Sequence, residues 1–154
     1  MQISMNDQLN THQTKHSAIL AQDLRALMGK LKRRLREQAH VEDLPPSQVA
    51  VLLRLEKDGP TTASSLARAE GMRPQSMGTV ISALESADFV RGRPDPTDGR
   101  QTLLSLTDGC RKWIAEGRAA RQDWLTRAIQ THLSPQEQDE LAKAVELLRR
   151  LVDD

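Results

Sequence analysis

Leu20, Leu24, Leu27, Leu31 and Leu35 step by three and four along the chain, the spacing that gathers apolar side chains on one stripe of a helix. Lys30, Lys32, Arg33, Arg34 and Arg36 take the opposite face; such a run reads first as a solvated surface and second as a patch for nucleic acid. Leu44-Pro45-Pro46-Ser47 breaks the rhythm, and a second helix is predicted from Ser47 to Asp58 with Val49, Leu52, Leu53 and Leu55 apolar. Gly59-Pro60 stops it. Thr62 then caps a short helix over Ala63–Glu70, which Gly71 ends. Pro74, suited to a first helical position, opens Gln75–Ala87. Met77, Val80, Ile81 and Leu84 share one face of that helix, and Arg73, Gln75, Ser76, Thr79 and Ser82 occupy the other.

A small residue at Ala67, a glycine four positions on, and apolar residues at Met77 and Val80 form the layout of a helix-turn-helix. The outer face of its second helix holds short and amide side chains instead of a Glu/Lys mixture, and Gln, Ser and Thr hydrogen-bond base edges. Gly78 weakens the helix but leaves room for a phosphate to approach the backbone. A helical hairpin packed against protein is the competing reading. Directly downstream, Val90–Arg93 and Gln101–Leu106 read as strands around Pro94-Asp95-Pro96-Thr97-Asp98-Gly99-Arg100, a β-hairpin with turn-forming residues at its tip. Asp98 lies two residues before Arg100, placed to orient a guanidinium toward an electronegative minor groove. A plain surface hairpin is the alternative there. Together these elements predict a mainly α winged helix-turn-helix. Its candidate DNA contacts are Thr62 and Arg73 on phosphates, Ser64 on the first helix of the pair, Pro74, Gln75, Ser76, Thr79 and Ser82 on the recognition helix, and Asp98 and Arg100 on the wing.

The final third adds apolar surface that this lobe does not need. Thr107-Asp108 begins a long helix with an acid at its positive end, carrying Trp113, Ile114, Ala120, Trp124, Leu125, Ala128 and Ile129. Ser134-Pro135-Gln136-Glu137 is a capping box. The helix it opens repeats Leu141, Val145, Leu148 and Val152, with a second row at Ala144, Leu147 and Leu151. So wide an apolar arc calls for a partner. Packing on the first helix would cover part of it, but a second copy of the chain also supplies the twofold that palindromic DNA readout requires. Leu20, Leu24, Leu141, Val145, Leu148, Leu151 and Val152 are the candidate dimer contacts.

Composition narrows the function classes. A length of 154 residues suits one domain with a dimerisation element. Aromatics make up only 2% of the chain, so the core must be aliphatic. Phe89, Trp113 and Trp124 are placed as core or interface residues and give no stacking platform for single strands or RNA. A formal net charge of +1 argues neither for nor against nucleic acid. Cys110, the sole cysteine, excludes an intramolecular disulfide and a Cys-based zinc site. It falls in a first helical turn, where a dipole can lower a thiol pKa; a buried structural thiol is preferred, with a redox-responsive one as alternative. His12 and His16, or His40 near Glu42, lack further ligands, so neither metal nor cofactor is expected. No nucleophile–base spacing or phosphate loop points to an enzyme. Met1–Ser17 is polar, without a secretory core, and reads as a flexible tail; nothing approaches the ~20 apolar residues of a membrane span. A cytoplasmic protein is expected, with a tail over 1–17, a helical dimerisation region over 18–43 and 107–154, and the winged lobe over 44–106.

Residues 44–107 resemble the winged helix-turn-helix of the multiple-antibiotic-resistance regulator (MarR) family. The matching pieces are Leu44-Pro45-Pro46-Ser47-Gln48-Val49-Ala50-Val51-Leu52, Ser65-Leu66-Ala67, Gly71-Met72-Arg73-Pro74-Gln75-Ser76, Leu84-Glu85, Phe89-Val90, Asp95-Pro96-Thr97-Asp98-Gly99-Arg100 and Leu106-Thr107. With its helical flanks the likeness covers about residues 18–152, and it departs from the family at Pro45, where Thr or Ser is common. The resemblance implies a homodimer joined through N- and C-terminal helices, with recognition helices in the major groove and wing tips in flanking minor grooves. It further implies a repressor released by a small-molecule effector or by thiol oxidation. The redox-sensing members carry their cysteine near the first helix, where this chain has none. The pocket it implies, between the dimerisation helices and the DNA-binding lobe, takes aromatic acids or other lipophilic anions, and Arg54 and Trp113 are named as its candidate lining. A winged-helix module that binds protein is the remaining alternative.

Overall fold

The computed structural model describes residues 5–39 and 44–153. Its element order is α1 (Met5–Glu37), α2 (Pro46–Asp58), α3 (Ala63–Ala69), α4 (Pro74–Ser86), β1 (Val90–Pro94), β2 (Thr102–Leu106), α5 (Asp108–His132) and α6 (Pro135–Arg149). The fold is a mainly helical winged helix-turn-helix flanked by long helices. Among the described residues no helix is long and apolar enough to cross a membrane.

Local chemistry sets most of the boundaries. Thr62 Oγ1 accepts the backbone N–H of Ser65 and caps α3, and Thr107 Oγ1 does the same for Cys110 at the start of α5. Ser134 and Glu137 bond reciprocally at the start of α6. Pro45 makes no side-chain cap bond, so α2 starts on the fixed φ of Pro46 alone. Helices α3 and α4 end alike. Met72 N–H reaches Ala67 O at 2.8 Å and Gly71 N–H reaches Arg68 O; Phe89 N–H reaches Leu84 O at 2.9 Å and Asp88 N–H reaches Glu85 O. This is the left-handed helix stop, with Gly71 at φ +62° and Asp88 at φ +58° in the left-handed position.

The buried face of each helix then closes one core. Val51 and Leu55 of α2, Leu66 of α3, Met77 and Leu84 of α4 and Cys110 of α5 are fully buried side chains. Val90, Leu104 and Leu106 bring the hairpin onto them. The strands pair antiparallel from Val90↔Leu106 to Pro94↔Thr102. Thr61 adds a bridge to Leu104 through two backbone bonds of 3.1 and 2.8 Å, which ties the approach to α3 to the wing.

Three expectations are corrected. The helix expected to start near residue 18 begins at Met5, so most of the proposed tail is helical. Once a helix is nucleated each further residue adds a bond, and Thr14 and Ser17 hydroxyls bond Asn10 O and Gln13 O instead of interrupting it. Helix α6 ends at Arg149, which leaves Leu151 and Val152 in a closing turn rather than on the helical row. Its last carbonyls find i+3 partners, Leu151 N–H to Leu148 O and Val152 N–H to Arg149 O. Asp98 does not hold the Arg100 side chain, as the wing geometry below shows. His40 and Glu42 lie outside the described residues.

The flanking helices are the open part of the molecule. Leu20 and Leu27 of α1 and Leu141, Val145, Leu147 and Leu148 of α6 are exposed, as are Leu151 and Val152 beyond it; Leu24 is half-buried. Close packing of α1 onto the rest occurs at its end, where buried Ala39 sits 3.5 Å from the place a side chain on Gly117 would take.

Candidate DNA-binding surface

Helix α4 presents two faces of opposite chemistry. Met77, Val80, Ile81 and Leu84 are buried, while Gln75, Ser76, Thr79 and Ser82 are exposed with Gly78 among them. The exposed set carries no charge, so it offers donors and acceptors without a desolvation cost of ionic size. Thr79 donates its hydroxyl hydrogen to Gln75 O at 3.2 Å, which leaves the hydroxyl oxygen as an acceptor on this exposed face. Ser86 extends the strip by one turn beyond Ser82 and is also exposed, a position the sequence reading left out although the i+4 spacing carried it.

The start of α4 concentrates features that suit a phosphate. Arg73 is its N-cap residue, exposed and without a side-chain cap bond, so the guanidinium is free of the helix end. Pro74 supplies the first helical residue, and the helix dipole adds partial positive charge there. Thr62, Ser64, Pro74, Gln101 and Thr102 line a groove of about 350 Å³ between the helix-turn-helix and the wing. Thr62 is half-buried, and its hydroxyl is engaged with Ser65 N–H at 3.2 Å and the Ser65 hydroxyl at 3.1 Å, so its part in the groove is structural while Ser64 is exposed. Gln101 and Thr102 are groove residues the sequence reading missed. Only the strand pairing brings them beside α3 and α4.

The wing tip is held by its own acids. Asp95 Oδ1 accepts the Thr97 backbone N–H at 2.9 Å and the Thr97 hydroxyl at 2.8 Å. These bonds, the backbone one first, hold the Asp95 carboxyl below its ordinary pKa, so it stays ionised. Asp98 Oδ1 accepts the backbone N–H of Arg100 at 3.1 Å. That bond corrects the expectation that Asp98 would orient the guanidinium: the carboxylate shapes the turn, and the exposed Arg100 side chain projects from it. Arg91 and Arg93 are exposed on β1, and Arg91 pairs loosely with Asp88 at 4.0 Å. An Arg-Gly-Arg strand beside the wing was the signal for them.

The two pocket candidates part company. Trp113 lines a cavity of about 170 Å³ with Leu44, Leu52, Ile114, Arg118 and Arg121, between α2 and α5. It also stacks on Phe89, with ring centroids 5.0 Å apart. Arg54 lies elsewhere: Nε bonds Glu70 Oε1 at 2.5 Å and Nη1 bonds Asp58 at 3.4 Å, which clamps α2 to the end of α3. The Glu70 bond is the main cause that raises its pKa. The cationic side chains at the cavity are Arg118, paired to Glu56 at 2.6 Å, and Arg121. Cys110 is fully buried, and desolvation pushes its thiol up from the ordinary value, opposing any dipole effect. Among the described residues no group of three or more His, Cys, Asp or Glu is placed to hold a metal.

A helix-turn-helix with an uncharged polar outer face, a cationic helix start and an arginine-tipped wing defines a winged-helix DNA-binding protein. Residues 44–102 match the model of the MarR family. The chain is 37% identical over 137 residues to an HTH-type transcriptional regulator of Mycobacterium tuberculosis, covering 89% of this chain and 95% of that one. Its fold matches a transcriptional regulator protein from Pseudomonas aeruginosa with a TM-score of 0.76 and 34% identity, over 90% of this chain and 97% of that chain. It also matches a mutant of Staphylococcus aureus MepR bound to an oligodeoxyribonucleotide, with a TM-score of 0.71 and 18% identity over 86% and 97% of the two chains. The chain belongs to the MarR family and is a helix-turn-helix transcriptional regulator, not an enzyme.

Proposed function

We propose that the chain acts in the cytoplasm as a homodimeric repressor, which holds a pseudo-palindromic operator and releases it when a small molecule binds. The observation that carries the reading is the uncharged, exposed strip of Gln75, Ser76, Thr79 and Ser82 on a helix whose other face is fully committed to the core. In the proposal that strip reads base edges, Arg73 and the Ser64 groove hold phosphates, and Arg100 enters the minor groove beyond. The exposed leucines of α1 and α6 support the dimer, because water-exposed apolar rows of this extent are the mark of an interface. The cavity beside Trp113 supports the effector: apolar walls with two guanidinium groups suit an aromatic carboxylic acid.

The test is a titration of double-stranded DNA from upstream of the chain's own gene. Gln75→Ala should relax preference at a symmetric pair of operator positions. Arg73→Ala should weaken binding to all sequences and flatten the salt dependence by about one unit of slope. If both variants weakened every sequence equally, α4 would not be the base-reading element. Aromatic acids that raise the melting temperature and also release the DNA would establish the effector class; a stabilising acid that leaves the complex intact would refute it.

A further inference from the structure

The one buried polar side chain among the described residues is Thr107, at the junction of the wing and α5. Its hydroxyl is used fully: it donates to Asp88 O at 2.7 Å and accepts the Cys110 N–H at 3.1 Å. Its own N–H reaches Phe89 O at 3.1 Å. Asp88 and Phe89 are the two residues that stop α4, so one threonine ties the end of the recognition helix to the first turn of α5. One turn further along α5, Trp113 stacks on the Phe89 ring. The recognition helix and the long helix are therefore joined at two points on the same short turn.

We propose that Thr107, seconded by the Phe89–Trp113 stack, is a positioning residue for DNA binding: it fixes the angle between α4 and α5 and so sets the spacing of half-sites that the dimer accepts. The inference rests on the dimer reading above. Recognition helices one DNA turn apart stand about 34 Å from each other in the dimer. Helix α4 has 13 residues, so its base-reading N-terminal end stands about 20 Å from the joint at 1.5 Å per residue. A rotation of about 10° at the joint moves that end by about 3.5 Å, close to the 3.4 Å step between base pairs. A loose joint would let the dimer follow a mis-spaced operator, and a stiff one rejects it. Trp113 also walls the cavity between α2 and α5, so a molecule lodged there touches the same joint.

The experiment selects the wild-type site from a random double-stranded library, then inserts one base pair between its half-sites. Wild type should lose tenfold or more in affinity on insertion. Thr107→Val, nearly isosteric but without the hydroxyl, should bind the selected site several-fold more weakly and discriminate against the insertion less than threefold. Thr107→Ser keeps the hydroxyl and should restore the wild-type ratio. Thermal melts establish that each variant is folded; should Thr107→Val not fold, Phe89→Leu, which removes the stack but keeps an apolar side chain, carries the same comparison. A folded Thr107→Val or Phe89→Leu protein with wild-type discrimination would overturn the joint while leaving the dimer intact. A selected site without twofold symmetry would overturn the dimer reading, and the joint with it.

Discussion

Gly78→Ala separates stability from DNA binding at a single methyl group. Gly78 lies inside α4, and a Cβ built there meets nothing within 4 Å. Glycine in a helix interior is about 0.5–1 kcal/mol worse than alanine, so the variant should be stabilised by that amount. For a chain of this size that is a rise of about 2–4 °C per kcal/mol in melting temperature. The same methyl stands one helical turn from Gln75 and from Ser82, on the face proposed to enter the groove. Overfilling a packed contact costs about 1–3 kcal/mol, which is roughly one to two decades in Kd at 1.4 kcal/mol per decade. Gly71→Ala is the control with opposite sign, since its φ of +62° penalises any side chain by about 1–2 kcal/mol. Melting curves and fluorescence anisotropy on one operator fragment report both quantities. A Gly78→Ala protein that melts higher and binds with unchanged Kd would show that DNA does not approach α4 at this point, and the recognition face would have to be redrawn.

Arg100→Ala should weaken operator binding about tenfold with the dimer unchanged, since one groove contact is worth about 1–3 kcal/mol; equal Kd at moderate salt would remove the wing from the mechanism. Asp98→Ala should act in the same direction but more weakly, through the lost turn bond to Arg100 N–H. Leu148→Asp should dissociate the proposed dimer by about 3–5 kcal/mol of unpaired buried charge, seen as monomer in sedimentation; an intact dimer would exclude α6 from the interface. Cys110 should react slowly with a thiol reagent in the native protein and rapidly in urea. Because its folded pKa is raised above the ordinary 9.0, the stability tied to its neutral form is present below pH 9 and falls as pH rises further. A flat stability curve above pH 9, alongside fast native labelling, would contradict its burial.

What the sequence made legible was local. Thr62, Gly71, Pro74 and the Ser134–Glu137 box each act within four residues of themselves, so residue type and spacing were enough to mark them. The end of α4 is placed at Ala87 from the sequence, but the residue that stops it carries no sign, because aspartate stands in the left-handed position where glycine is usual. The Thr61–Leu104 bridge joins positions whose pairing no local pattern encodes. Arg54 is named as pocket lining from the sequence, yet Glu70, sixteen positions away in sequence, draws it to another face. The Asp98–Arg100 spacing permits a bond to either the guanidinium or the backbone N–H. The backbone N–H is fixed close by and costs no side-chain rotamers to hold, so the turn takes the carboxylate.

The chain distributes its apolar residues so that folding and recognition depend on the same event. Residues of α2 to α5 and the wing bury Leu52, Leu55, Leu66, Met77 and Leu84 among themselves and need no partner. Helix α1 is different: it runs 33 residues with Leu27 62% exposed, and Leu147 of α6 is 58% exposed. A helix so little packed gains most of its stability from tertiary contact rather than propensity, so its order in solution depends on what covers that stripe. If a second copy covers it, association both completes the fold and fixes two recognition helices in one frame, where the second half-site binds at high effective concentration. Tight operator binding should therefore fall with protein dilution more steeply than one-to-one binding allows.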